Sequence, residues 1–235
     1  MAMARPQLLL TGIAEGLGAA IAETFAQAGH DVIGLSRSTR SNEQVTRRVE
    51  AAGGRYRHLG CDITRTAELA AAIKPHADRI DVLIHNPQLL TVKPFEQTTT
   101  DEFEQAWRVA CLGAVIAAQA VIPHMAARQR GMIILTGATA GIRGGANFSA
   151  FASAKFALRG LAQSLAREYG PKGVHVAHVV LDGLIDAPQT DARFGSQATG
   201  RMDPRFIAHA YLDLSTQPPS TWTQEMDLRP FSERF

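Results

Sequence analysis

Three glycines and the segment around them carry the first chemical signal in this chain. Thr11-Gly12-Ile13-Ala14-Glu15-Gly16-Leu17-Gly18 follows the apolar run Leu8-Leu9-Leu10 and leads into an amphipathic segment. Glycine at 12 allows a tight turn. Glycine at 16 removes a Cβ where a phosphate would meet the backbone, and glycine at 18 lets a helix sit close to the strand. A helix starting there offers free N–H groups and a partial positive charge, so the expected ligand is a dinucleotide pyrophosphate. A glycine triplet alone is a weak signal; the strand before it and the helix after it supply the context. The second strand ends Gly34-Leu35-Ser36-Arg37, without the carboxylate that would bond both ribose hydroxyls and mark NAD. Ser36 stands in its place, Arg37 follows and Arg40 is close. A guanidinium fork matches a phosphate, so NADP(H) is the expected cofactor, with NAD the alternative. The plainer reading of both arginines is a solvated loop.

The remaining reactive residue types are dispersed. Cys61 and Cys111 have neither metal-ligand nor redox spacing. Of the eight histidines, His175 and His178 lie three apart on a strand and point to opposite faces, so no metal site is expected.

The elements that must position these residues alternate in type. Strands are predicted at Gln7–Thr11, Asp31–Leu35, Arg55–Cys61, Asp81–His85, Gly131–Thr136, Gly173–Leu181 and Trp222–Leu228. Helices are predicted at Gly16–Ala28, Asn42–Ala52, Thr66–His76, Asp101–Arg128, Phe151–Tyr169 and Asp203–Ser215. This alternation implies an α/β fold with a doubly wound parallel sheet of about seven strands, as one Rossmann-type domain over residues 1–235. The helical patterns near 107–127 and 151–166 are apolar almost all round. Either both are deeply buried in the monomer or they form a two-fold interface; we favour the interface, giving a dimer or tetramer.

The spacing Thr-Gly-x-x-x-Gly-x-Gly resembles the fingerprint of the classical short-chain dehydrogenases/reductases. The resemblance continues through Asp62, Asn86, Lys155 and Gly183, over nearly the whole chain. It implies strand order 3-2-1-4-5-6-7 and hydride exchange between a nicotinamide and a small carbonyl or alcohol. It further implies that Asp62-Ile63 contacts adenine and that Asn86 supports the sheet beside the cofactor. Gln88 replaces a glycine that lies against the ribose, and Glu15 stands where many NADP-using relatives carry a basic residue. By the same resemblance a tyrosine four residues before Lys155 would move the proton, and a serine thirteen residues before that would hold the substrate oxygen. An asparagine on the preceding helix would complete a water relay. These positions hold Phe151, Ala138 and Cys111. Lys155 would bind the nicotinamide ribose. In the loop after the sixth strand Gly183 and Ile185 fit the family pattern, while Ala187 lacks its hydroxyl. Replacement donors are sought among Cys111, Thr139, Asn147, Ser149 and Asp182. Asp182 is read either as an acid in an apolar pocket or as a turn residue capping its own backbone. Cys111 reads better as a core residue than as a nucleophile. The expected function is an NADP-preferring oxidoreductase with a non-standard proton donor; the alternative is a catalytically silent dinucleotide-binding sensor or scaffold.

Bulk properties narrow the class. The 235 residues are 46% hydrophobic and 20% charged, with a net charge of +2. That describes a globular protein and offers no basic patch for nucleic acid or an anionic membrane. No targeting segment is read at the N-terminus, and free thiols fit a reducing cytoplasm. The stretch 187–200, where the resemblance places a substrate lid, is short and polar, including Ser196 and Gln197, and reads as mobile.

Overall fold

The computed structural model describes residues 5–195 and 200–232; Ser196 and Gln197 of the expected lid lie outside them. Seven strands form one sheet: β1 Gln7–Thr11, β2 Asp31–Ser36, β3 Tyr56–Gly60, β4 Ile80–His85, β5 Gly131–Thr136, β6 Val174–Leu181 and β7 Glu225–Leu228. Every pairing is parallel, in the order β3-β2-β1-β4-β5-β6-β7. The expected order therefore holds. Parallel strands need continuous apolar runs because both faces are covered. The three leucines of β1 show this: Leu8 and Leu10 enter one core cluster and Leu9 the other.

Helices α1 Leu17–Gln27, α2 Asn42–Ala51 and α8 Pro204–Thr216 cover the first face. On the second lie α3 Thr66–Ile73, α5 Gly113–Ala127 and α6 Ser149–Tyr169. Between them α4 Thr100–Trp107 starts on a capping box of Thr99 and Glu102. The short α7, Pro188–Phe194, falls where a polar lid was expected.

Besides α7, three elements depart from the sequence pattern by more than two residues or in their winding. α3 stops at Ile73 and a 3₁₀ turn follows, because Pro75 has no N–H to continue the helix. β7 starts at Glu225, since Trp222 stacks its ring on His175 at 4.8 Å instead of pairing as a strand. The predicted helix over 101–128 is continuous from 100 to 127, but residues 108–112 are a π-helical turn.

The apolar character of α5 has a largely internal cause. Ala114, Ala117, Ala118 and Val121 are buried against the sheet. The continuous helix Thr100–Ala127 is long and apolar enough to cross a membrane, yet half of its apolar window is buried within the fold, as in a core helix.

Candidate functional site

The predicted nucleotide-binding residues in the loops after β1, β2, β3, β4 and β6 lie at the carboxyl ends of those strands, with Gly12 and Asn86 at the junction of β1 and β4 where strand order reverses. Gly12 has φ +77° and donates its N–H to the Leu35 carbonyl at 2.8 Å. A Cβ there would stand 2.7 Å from Pro87 N, so the turn closes directly on the end of β4. Asn86 clamps the two strands: its N–H donates to Thr11 O at 3.1 Å and its side-chain amide to Gly12 O at 3.4 Å. Gly16, φ +85°, precedes α1, whose first turn has no side-chain cap. A helix start without a side-chain cap leaves its first N–H groups, here those of Leu17 and Gly18, without an intrahelical acceptor.

The segment after β6 lies over this turn. Ile185 makes a parallel bridge with Met202, and a Cβ on Gly183 would meet Pro230 at 2.8 Å. A Cβ on Gly16 would stand 2.7 Å from the Ala187 methyl. Arg201 holds the segment through Asp186 at 3.2 Å and Asp191 at 2.6 Å, and Arg193 donates to Leu90 O at 2.9 Å.

At the end of β2, Ser36 Oγ bonds the Ser38 carbonyl and His58 Nε2, both at 3.0 Å. Arg37 and Arg40 are exposed on the loop that follows. Asp62 accepts from the N–H of Thr64 at 2.9 Å and from its hydroxyl at 2.8 Å. The Thr64 amide, and then the nearby Arg37 and Arg65 charges, hold its carboxyl below the usual range. Ile63 is buried against Gly113, where a Cβ would stand 2.6 Å away.

Two of the positions expected to be catalytic, Phe151 and Ala138, come together. Phe151, Ala140 and Ala152 form a small buried cluster against which Ala138, Phe148 and Leu90 pack. Lys155 lies with its ammonium 5.7 Å from the Phe151 ring centroid. The ammonium is fully buried and donates to Thr136 O at 2.8 Å; among the described residues no carboxylate pairs with it. Burial pushes it down to about 8. Cys111 sits in the π turn, and burial pushes its thiol up, which favours the neutral form. Ser149 Oγ is buried without a hydrogen-bond partner.

Asp182 directly follows β6, and its N–H donates to Leu228 O at 2.8 Å. Its carboxylate accepts the Thr139 hydroxyl and faces the guanidiniums of Arg229 at 3.6 Å and Arg143 at 3.8 Å.

Two buried histidines, His85 and His178, make polar contacts that the sequence does not mark as part of a site. His85 Nε2 lies 3.2 Å from Val109 O and Nδ1 3.0 Å from the Thr11 hydroxyl. A carbonyl only accepts, so Nε2 carries the hydrogen and Thr11 donates to Nδ1. Burial, then the Lys155 charge, pushes His85 down to about 3, which keeps this arrangement neutral. The π turn makes it possible: Gly113 N–H bonds Arg108 O, releasing Val109 O for the imidazole. His178 Nδ1 bonds Glu225 at 3.0 Å, and Glu225 is also held by Arg159. The sequence signal for His85 was its place directly before Asn86 at a strand end; nothing local marked His178.

A parallel sheet wound on both faces, with a glycine turn at its switch point, defines a Rossmann-type protein. A family model for short chain dehydrogenases matches residues 7–196, and the chain belongs to that family of oxidoreductases. A 2-dehydro-3-deoxy-D-gluconate 5-dehydrogenase of Pseudoalteromonas atlantica is 32% identical over 188 residues, covering 78% of this chain and 74% of that protein. The crystal structure of a short-chain dehydrogenase from Rhodopseudomonas palustris is 34% identical, with a TM-score of 0.84 over 97% of this chain and 100% of that one. A metagenomic short-chain oxidoreductase solved in complex with NADP is 26% identical, with a TM-score of 0.83 over 97% and 98% of the two chains.

Proposed function

We propose that the chain is an NADP(H)-dependent oxidoreductase acting on a small carbonyl or alcohol, without the usual proton-donating residues. The observation that carries the reading is the buried Lys155 ammonium, held by Thr136 O at the end of β5. A buried charge is costly unless bonded, and Thr136 O satisfies one of its three N–H groups. Ribose hydroxyls suit the other two. Gly12, Gly16, Leu17 and Gly18 would hold the pyrophosphate, Asp62 and Ile63 the adenine, and Gly183 and Ile185 the nicotinamide end. When bound, the nicotinamide supplies or accepts a hydride. This chain's residues then orient the substrate and exclude water. With Ala138 and Phe151 at the positions implied for serine and tyrosine, the wall beside the reacting carbon is apolar. The same apolar wall favours a second reading, dinucleotide binding without turnover. Titration with NADPH and NADH, followed by a carbonyl panel with the tighter nucleotide, separates the two. Turnover supports the enzyme, and binding alone supports the sensor.

Arg37 and Ser36 would set the choice of nucleotide. NADP(H) is expected to bind more tightly than NAD(H), with Arg37→Ala narrowing the gap about tenfold, as for one charge-assisted hydrogen bond. Calorimetry showing NAD(H) ahead in the wild type would reject this assignment.

The proposed assembly is a dimer or tetramer with two-fold axes through the helices near 107–127 and 151–166. The apolar surface left over on them includes Trp107, 42% exposed, and Phe156, 44% exposed. Ala118 is buried inside the monomer, so Phe156 is the better probe. Light scattering should find an oligomer at micromolar concentration and a smaller species for Phe156→Glu, which would bury an unpaired charge. A wild-type monomer sinks the idea.

A further inference from the structure

Ser36 and His58 face each other across the ends of β2 and β3, at the place read above as the site of the adenosine ribose. The Ser36 hydroxyl has one hydrogen and two neighbours at 3.0 Å. The Ser38 carbonyl can only accept. His58 Nε2 donates or accepts according to its tautomer and charge. When Nε2 carries a hydrogen, it donates to Ser36 Oγ and the hydroxyl hydrogen is left for another acceptor. When Nε2 is bare, it takes that hydrogen and Ser36 presents only lone pairs.

We propose that His58 sets the direction of the Ser36 hydroxyl and so makes the choice between a ribose 2′-phosphate and a 2′-hydroxyl depend on pH. The protonated imidazole donates to Ser36, whose O–H then turns from Ser38 to a phosphate oxygen, which can only accept. The neutral ring with a bare Nε2 leaves Ser36 as an acceptor, suited to a ribose hydroxyl. The imidazolium adds a third positive charge to those of Arg37 and Arg40.

The surroundings leave this titration to His58. Ser36, Ser38, Ser41, Asn42 and Tyr56 line a shallow hollow with it, and no carboxylate or ammonium is among the residues lining it. From β2, Gly34 is the register partner of His58 and has no side chain. On β3 itself, burial pushes the Tyr56 phenol up to about 12, so it stays neutral. From the first turn of α2 come Ser41 and Asn42; Glu43 is exposed and paired with Arg47 at 3.7 Å. The charged groups of the loop are Arg37 and Arg40. Burial holds His58 below its ordinary value, and a bound phosphate would raise it.

The proposal rests on the reading of this strand end as the ribose site, and the experiment keeps the two apart. The full chain is titrated with NADP⁺ and with NAD⁺, without substrate, at pH 5.5 and 8.5, as wild type, His58→Gln and His58→Leu. The phosphate itself loses a charge near pH 6, but it does so equally in all three proteins. On going to pH 5.5 the wild-type preference for NADP⁺ should rise about five- to tenfold more than that of His58→Gln, the scale of a charge-assisted hydrogen bond. The glutamine amide can donate to Ser36 at both pH values, so that variant should keep a pH-flat contribution. His58→Leu should lower the preference at both. In NMR of the wild type, NADP⁺ and not NAD⁺ should raise the His58 titration midpoint. Parallel pH profiles of wild type and His58→Gln, with an unmoved midpoint, overturn the proposal. An NADP⁺ preference at pH 8.5 that Arg37→Ala leaves intact overturns the underlying ribose-site reading instead.

Discussion

The double variant Phe151→Tyr, Ala138→Ser is expected to reduce carbonyl substrates about 10- to 1,000-fold faster than the wild type. Ala138 packs against the cluster that contains Phe151, and Phe151 lies one helical turn from Lys155 with its ring near the ammonium. A phenol there would sit beside a cation that lowers its pKa, and a serine hydroxyl would be positioned to hold the substrate oxygen. The range stays in the lower part of what a positioned acid supplies, because buried Cys111 does nothing for a proton relay. Steady-state rates with NADPH across a broad carbonyl panel check it. If the variant binds NADPH normally and reduces nothing faster, the positions or the reaction class are wrong. If the wild type is already fast and the variant slower, another donor operates. Asp182→Asn is then the next change, although Asp182 accepts the Thr139 hydroxyl instead of offering a proton.

Replacing Lys155 is expected to strengthen the empty fold while weakening ligand binding. Its ammonium titrates near 8 when folded and at the ordinary lysine value near 10.4 when unfolded. Between those values the unfolded chain binds more protons, so the lysine's contribution to stability rises with pH through that window. Below pH 8 both states are charged and the folded state carries the full cost of the buried ammonium, about 3 kcal/mol. Lys155→Met removes that cost at pH 7, and the advantage over wild type should shrink towards pH 10. Denaturant unfolding of the ligand-free protein at pH 7 and pH 10 measures it. The same variant should bind NADPH about 10- to 100-fold more weakly, through loss of charge-assisted bonds to ribose. A stability difference independent of pH would refute the linkage.

The apolar runs that become strands could be read directly, since a parallel sheet buried on both faces leaves little alternative for Leu8-Leu9-Leu10. The glycine turn was also legible, because its conformation is fixed by local spacing. Partnerships across the sheet were not. Ser36 meets His58 at a separation of 22 residues, Thr139 meets Asp182 at 43 and His178 meets Glu225 at 47. Each depends on which strands adjoin and in what register, a property no single segment carries. α7 was hidden for a different reason: its seven residues have no apolar stripe and start at Pro188, so periodicity had nothing to detect.

The π turn at Arg108–Leu112 joins two packing surfaces that an unbroken α-helix would set at the wrong angle to each other. Ala106 and Phe103 before it belong to a cluster with Ala150 and Ala154 of α6, whereas Ala114, Ala117 and Val121 after it belong to the core under the sheet. Each residue of an α-helix advances the side chains by about 100°, and a π turn amounts to one extra residue in the winding. The segment therefore works as a phase shifter. Deleting one residue between 108 and 112 would rotate one surface against the other by about a quarter-turn, while the composition and length of the helix hardly changed. Substitutions can drift along this helix, but its residue count here is locked by two surfaces at once.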